Sequence, residues 1–534
     1  MPLEQLLTDT HPFGPEDQAL IDSLTDAVDL TGLYGPLSTA LAGNYILISG
    51  RKGCGKSAVI SMLRGFELAR GRLQREKIKI DDVHQRTTFI TIKTWTEFLS
   101  MNVNVRRYLV DNSNYADRKV PDADFYELIP TEAVEKAWVN ELWERIFQKF
   151  YDAIQGDGDL VGRRNADELR NVLLCFDDDA MAALRGTPEY IASKIFSAAR
   201  REVESFLTKN DTSVCLLFDS LERYPLANPT FSLSMGGFLR AINTITAQNH
   251  RIKIVFALPE ELLPYMRASS SNILKDFSRS FSMKWRPSDL WRIAAYRYRL
   301  FLSLHDPNFY KDMQLSASDW NNKRQLTEFF ETIMPSTIVN GFNVEEPSKA
   351  YLIRHTFLVP RHLLLILNRT SLDAYSEHSH WRGFSASSIV RGVKTAEQDI
   401  ADEIFVPFEG IYRGLKTSLN KVLGGLPPIF PYGELDKAIS KTSKQFSLED
   451  HEMIKLLFDM GVIGRIRGDT SEDETYKMYT LADFFFNLKG NISFSGGDIL
   501  CFHPIFSTYY NADARRGGDK RIIYPYNISA EITA

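Results

Sequence analysis

Gly50-Arg51-Lys52-Gly53-Cys54-Gly55-Lys56-Ser57 is the stretch of this 534-residue chain whose residue types and spacing most plainly do chemistry. It fits G-x-x-x-x-G-K-[ST], the pattern of a loop that cradles phosphate. Gly50, Gly53 and Gly55 admit backbone conformations closed to residues with a Cβ, so successive N–H groups can turn into one concavity. A helix starting near Lys56 aims the positive end of its dipole at the same point. Lys56 would reach the β- and γ-phosphates, and the Ser57 hydroxyl suits Mg2+. The expected contacts of a nucleotide, read as ATP with Mg2+, are therefore Gly50, Arg51, Lys52, Gly53, Cys54, Gly55, Lys56, Ser57 and Ala58. The other half of such a site is a carboxylate at the end of a buried strand. Ser213-Val214-Cys215-Leu216-Leu217-Phe218-Asp219 supplies it, and Asp219 is the second expected Mg2+ ligand, acting through water. Glu222 is the candidate to polarise an attacking water, with a surface residue at a helix start as the alternative.

The elements that must position these groups are legible around them. Tyr45-Ile46-Leu47-Ile48 is a short apolar strand that empties into the loop, and Ala58 to Leu63 reads as a helix after it. Thr87 to Lys93 alternates as a second strand, and Arg251 to Leu258 is a further buried one. No Asn or Thr ends that last strand, so a standard polar sensor of the γ-phosphate is not expected there. Ser280 to Trp285 reads as the final strand. Between the second strand and Ser213, residues 96–210 read as a helical insertion. Its helix Thr131 to Ile154 carries Val134, Trp138, Leu142, Ile146 and Phe150 on one stripe, and Trp138 and Trp143 read as core. A helix from Pro15 to Ala27 is expected to pack beside the first strand.

Residues 286–400 read as all-helical, with Pro360-Arg361 opening an apolar helix that ends at Asn368 and an irregular stretch to about 385. Residues 401–534 read as helices near Tyr432–Ile439 and Leu448–Met460, then strands 461–466 and 475–479 joined by the acidic turn SEDET. Helix, helix and hairpin in that order is the grammar of a winged helix. The ending CFHPIFSTYYN reads as a closing strand and helix. The fold class is therefore α/β: a P-loop NTPase with a parallel sheet (ASCE/AAA+-like), a helical lid and a C-terminal winged-helix-like domain. The expected domains are 1–285, 286–400 and 401–534.

Composition narrows the class. With 44% hydrophobic and 25% charged residues the chain reads as a soluble globular protein. No apolar run reaches membrane-spanning length, and the N-terminus lacks the basic flank and apolar core of a signal peptide. Four scattered cysteines, with no CxxC pair, argue against zinc and a disulfide framework and for a reducing cytoplasm. A net charge of −5 does not suit coating nucleic acid by bulk charge.

The combined pattern resembles bacterial stand-alone P-loop ATPases of the AAA+/STAND neighbourhood, which carry a GRKGxGKS-type loop and end in a segment like LFDMGVIGRI…FHPIFSTYYN. LLFDSLER is similar to the DDLDR-type segment of KAP-family NTPases: Asp219 matches their Mg2+ aspartate, Glu222 the later acidic position, and Ser220 departs from the second Asp. SRSFSMKWRPSDLWRIAAYRYRL and LVPRHLLLILN resemble origin-recognition and Cdc6-like initiators. That likeness implies Arg361 as a γ-phosphate arginine and Arg279 as an arginine finger acting on a neighbouring subunit's ATP, hence a homo-oligomer.

Three functions follow from these readings. The first is an ATP-gated switch, an Mg2+-dependent ATPase of low turnover, that regulates assembly or a protein effector; the resemblance implies antiphage defence. The second is a DNA-binding initiator or loader. The formal charge of 401–534, about −3, and the acidic SEDET turn are wrong for phosphate contact. Arg515, Arg516, Lys520 and Arg521 remain as a basic cluster, and Lys284, Arg286, Arg292, Arg297 and Arg299 as a route for DNA. The third is a passive ATP-bound scaffold.

Overall fold

The computed structural model describes residues 7–14, 47–61, 87–92, 95–111, 129–155, 166–174, 191–219, 229–268, 280–315, 322–341, 343–467, 479–487, 492–510 and 522–525. The expected helix Pro15–Ala27, the SEDET turn, Glu222, Arg279 and the Arg515–Arg521 cluster lie outside them. The chain divides into two compact units. One comprises Gly32–Gly50 and Lys56–Ser282, the other Met1–Thr31, Arg51–Gly55 and Met283–Ala534.

The first unit is built on a sheet of β1 (Leu47–Gly50), β2 (Thr87–Ile92), β3 (Ser213–Phe218), β4 (Ile252–Pro259) and β5 (Ser280–Ser282), ordered β2-β3-β4-β1-β5 with every pairing parallel. A parallel sheet must be covered on both faces, so its central strands are apolar runs; Val214–Phe218 and Ile254–Leu258 are buried throughout. Phe256 pairs with Leu47 on one side and Phe218 on the other, so the start of β1 lies level with the end of β3, with one strand between them. The strand expected at 280–285 stops at Ser282, ahead of Pro287, which opens a helix.

Helix α1 (56–61) leaves the phosphate loop. Helices α2 (Trp95–Asp111), α3 (Thr131–Gln155), α4 (Ala166–Leu174) and α5 (Lys194–Lys209) occupy the stretch read as an insertion. They are built into the core. Phe98 of α2 and Phe238 of α6 (Pro229–Gln248) meet Phe218 edge-on at 6.0 and 5.1 Å, and Trp138 of α3 joins them. Such ring contacts add directional energy to area burial. Trp138 and Trp143 are fully buried, as their stripe implies, and Trp138 Nε1 donates to Ser234 Oγ. Gly237 lets α3 and α6 close up: a Cβ there would stand 2.4 Å from Val134 Cγ1.

In the second unit, residues 286–400 are not wholly helical. Between helices α7 (Pro287–His305), α8 (Lys323–Ile333) and α9 (Ser348–Arg354) stands an antiparallel hairpin, β6 (Thr337–Val339) with β7 (Glu345–Pro347). Glu346 explains why so short a hairpin holds. Its buried carboxylate takes two donations from Arg354, one from Asn340 and one from Tyr524 Oη. Helix α10 (Pro360–His378) runs ten residues beyond the expected Asn368, to a left-handed Ser379 at φ 54°, and packs along α11 (Ala386–Glu409). The continuation is amphipathic rather than apolar, which is why an apolar-run reading stops short.

The C-terminal segment contains α12 (Leu415–Leu423), β8 (Ile429–Pro431), α13 (Tyr432–Gln445), α14 (Asp450–Met460), β9 (Ile463–Ile466), β10 (Tyr479–Asp483), β11 (Ile499–Phe502), α15 (Pro504–Tyr509) and β12 (Ile522–Tyr524). Its sheet runs β12-β10-β9-β11-β8. The expected hairpin of two strands is thus one side of β9 only; its other neighbour is β11, which also pairs β8. Residues 7–14 pack against α7 and α10. Phe13 stacks on Tyr298 at 4.5 Å, and its amide donates to Asn368 Oδ1.

Candidate functional site

The strand between β1 and β3 sets their axes about 10 Å apart. The loop leaving β1 turns into α1, and that turn brings its first helical residues back toward the end of β3. Ser57 Oγ donates to Asp219 Oδ1 at 3.1 Å. Lys56 is buried, and its Nζ donates to the Gly50 carbonyl at 2.9 Å, so the ammonium stays folded over the mouth of the loop. Asp219 follows β3 directly and is anchored by its own amide, which donates to Ile92 O at 3.0 Å. Of the sequence-predicted residues of this unit, Lys56, Ser57 and Asp219 come together, and Ala58 begins α1 behind them.

An oxygen-only pair of one hydroxyl and one carboxylate, both half-exposed, suits Mg2+, which keeps several waters and takes phosphate oxygens rather than a full protein cage. Consistent with that partial set, no cluster of three or more His, Cys, Asp or Glu among the described residues could hold a metal.

The middle of the octet is held differently. Gly53 and Gly55 take φ of +80° and +98°, the left-handed region that glycine adopts without penalty. Three of its groups are tied by residues of the second unit. Cys54 O accepts from Trp285 Nε1 at 2.7 Å, and Gly53 O from the Arg361 amide at 3.4 Å. The Arg51 side chain is 4% exposed; it donates to Met460 O at 2.6 Å and lies over the rings of Phe357 and Phe486. Two carbonyls and one side chain of the loop are thus spent on protein partners. Lys52 is half-buried.

Arg361, at the start of α10, packs against Gly53: a Cβ on that glycine would stand 3.0 Å from Arg361 Cβ. Its guanidinium is paired with Glu403 on α11. Burial alone would push the Glu403 carboxyl up; contact with His362 and the Arg361 charge more than reverse this and hold it at about 2. His362 is itself held below the usual histidine range by burial. Its Nδ1 accepts from the Phe357 amide at 3.3 Å, which leaves the ring proton on Nε2, facing Glu403 at 3.7 Å.

Sequence reasoning missed Glu403, Trp285 and the Arg51 cage. Glu403 carried a signal: Ile389, Val393, Ala396, Ile400 and Pro407 form a buried stripe at helical spacing, and Glu403 falls on it. A carboxylate on a buried stripe needs a cationic partner. Of the residues read as a route for DNA, Arg297 is fully buried with its Nη1 donating to Phe13 O, and Arg292 is paired at the surface with Asp289. Arg297 therefore serves the fold rather than a phosphate backbone.

A parallel sheet ordered in this way, with a phosphate loop leaving β1 and an aspartate leaving β3 across one intervening strand, is a P-loop NTPase core of the AAA+-like kind, and a winged-helix-like segment follows it. No family model matches the sequence, and no curated protein matches it. Among solved structures it is similar to the ORC2 protein of Aeropyrum pernix in its ADPNP-ADP complexes, at 9% identity and TM-score 0.33 over 90% of this chain and 92% of that one. It is also similar to the ORC1 protein of Aeropyrum pernix in complex with DNA, at 11% identity and TM-score 0.33 over 94% and 97%. A third is Cdc6p of Pyrobaculum aerophilum, at 9% identity and TM-score 0.29 over 91% and 94%. Scores this low carry no argument about function, and the fold stands on its own strand order. No described helix is long and apolar enough to cross a membrane.

Proposed function

We propose that this protein is an ATP-binding molecular switch, and a slow Mg2+-dependent ATPase, in which nucleotide held by the phosphate loop governs the C-terminal segment and through it a protein effector or self-assembly. The observation that carries this reading is the convergence of Lys56, Ser57 and Asp219, with Ser57 Oγ 3.1 Å from Asp219 Oδ1 at the mouth of a glycine loop. Lys56 would neutralise the β- and γ-phosphates. Ser57 and Asp219 would hold Mg2+, which screens the phosphate charge when bound. Arg361 would approach the γ-phosphate from α10, Glu222 would orient water, and Arg279 would act across a subunit boundary. Bacterial antiphage defence, implied by the resemblance of the loop and the FHPIF ending, belongs to the same proposal.

A protein partner is favoured over DNA for the C-terminal segment. The face of α14 turned to solvent carries Asp450, Glu452 and Asp459 against Lys455 alone, which repels a phosphate backbone. The test is equilibrium binding of a fluorescent ATP analogue with and without Mg2+, in the parent and in Lys56→Ala. Equal affinity in the two proteins ends the proposal.

A further inference from the structure

We propose that Arg51 is a positioning residue that ties the conformation of the phosphate loop to the end of α14, so that the C-terminal segment reads the nucleotide state through this one side chain. The inference rests on the reading of the loop as the nucleotide site and deepens it.

A phosphate cradle is made by backbone amides, so the side chain following its first glycine is free for another task. Burying a guanidinium is costly unless its donors and charge are answered. Here the surroundings answer its charge from several sides. Met460 O, among the last carbonyls of α14, offers the negative end of a helix dipole at 2.6 Å. Phe357 and Phe486 present ring faces 4.8 and 5.3 Å from the guanidinium carbon. The nearby imidazoles stay neutral: burial first, then the Arg51 charge, pushes His503 well below its usual range. Gly461 completes the fit. Its φ of +81° ends α14, and a Cβ there would lie 2.8 Å from Phe357 Cε1 and 3.2 Å from Arg51 Nη1.

The linkage continues beyond the cage. Val462 O accepts from the His503 amide at 3.0 Å, and His503 caps α15 and stacks on Phe357 with ring centroids 4.0 Å apart. A shift of the Arg51 backbone therefore has a short, stiff route to Met460–Val462 and to the start of α15. Closely packed groups of this kind transmit displacement rather than absorb it.

The experiment is hydrogen–deuterium exchange of the full chain at 457–466 and 503–509, without nucleotide and at saturating slowly hydrolysed ATP analogue with Mg2+. The parent should show a nucleotide-dependent change in both segments, Arg51→Ala should lose it at saturation, and Arg51→Lys, which keeps a charge, should recover part of it. Coupling is reciprocal, so Gly461→Ala, outside the loop, should weaken analogue affinity by about fivefold in a protein that still melts cooperatively. Persistence of the full change in Arg51→Ala, a parent that binds analogue without the change, or parental affinity in Gly461→Ala would each overturn the proposal. Failure of the underlying site shows separately, as equal binding by the parent and Lys56→Ala before any Arg51 variant is compared.

Discussion

The two halves of one eight-residue loop are built on opposite principles. Lys56 donates to a carbonyl and Ser57 to a carboxylate at strand tips, partners that both can exchange for a ligand. Arg51, Gly53 and Cys54 are fastened by a helix-end carbonyl, a backbone amide and an indole N–H. Such groups are costly to release, because an unmatched buried polar atom loses its full solvation. The contrast assigns chemistry to the back half of the loop and mechanical attachment to the front half. A single motif in sequence is thus two devices in structure.

The largest expected effect is on the back half. Lys56→Ala removes two charge-assisted contacts to phosphate, about 4 kcal/mol, and analogue affinity should fall on the order of 1000-fold. Circular dichroism melts should change little, since the Lys56 ammonium donates to a carbonyl within its own loop. A large loss of melting temperature with retained affinity would reverse the roles assigned to the two halves.

Next in size is the acid response of the front half. Glu403 stands at about 2 in the folded protein, below its ordinary value. A depressed carboxylate contributes stability that is present above its unfolded pKa and lost as pH falls through the folded one. The relevant window is therefore from about 4.5 down to about 2, and the contribution is at most about 3 kcal/mol. Glu403→Gln should flatten the acid limb of a denaturation profile over that window and leave the neutral limb lower, because Arg361 loses its partner. An unchanged acid limb would mean that the contacts of Glu403 with His362 and Arg361 do not persist in solution.

How much of this was legible depends on how local each signal is. The octet, the Asp219 strand and the helices at 131–155 and 287–305 are written in adjacent residues, and a reading by period and spacing finds them. The β6–β7 hairpin is not, because three-residue strands have no period to detect; it holds by Glu346, Arg354 and Tyr524, which are far apart in sequence. β11 was read as a closing strand, but its place between β8 and β9 depends on pairing across more than thirty residues. The Arg51 cage is the extreme case. Phe357, Met460, Phe486 and His503 share no motif, and only the fold assembles them around a residue that the octet pattern leaves unspecified.

A smaller effect tests the Mg2+ reading. Asp219→Asn keeps the size of the side chain and an acceptor for Ser57 but removes the charge. Analogue affinity in the presence of Mg2+ should fall about tenfold, near 1.4 kcal/mol, and affinity in a chelator should match the parent. An equal loss with and without metal would move Asp219 from metal holding to loop support.

The smallest expected effect cuts at the contrast itself. Trp285→Phe preserves most of the ring but deletes the N–H that answers Cys54 O, leaving a buried carbonyl unmatched at a cost of about 1–2 kcal/mol. In a unit of this size that corresponds to a fall of a few degrees in melting temperature. Because the lost contact is made by a loop carbonyl rather than by an amide that would cradle phosphate, affinity should drop far less than in Lys56→Ala, by about threefold at most. The opposite outcome is the informative one. If Trp285→Phe lost affinity on the scale of Lys56→Ala with no fall in melting temperature, the front half would belong to the ligand site after all, and the division of the loop into a chemical and a mechanical part would have to be given up.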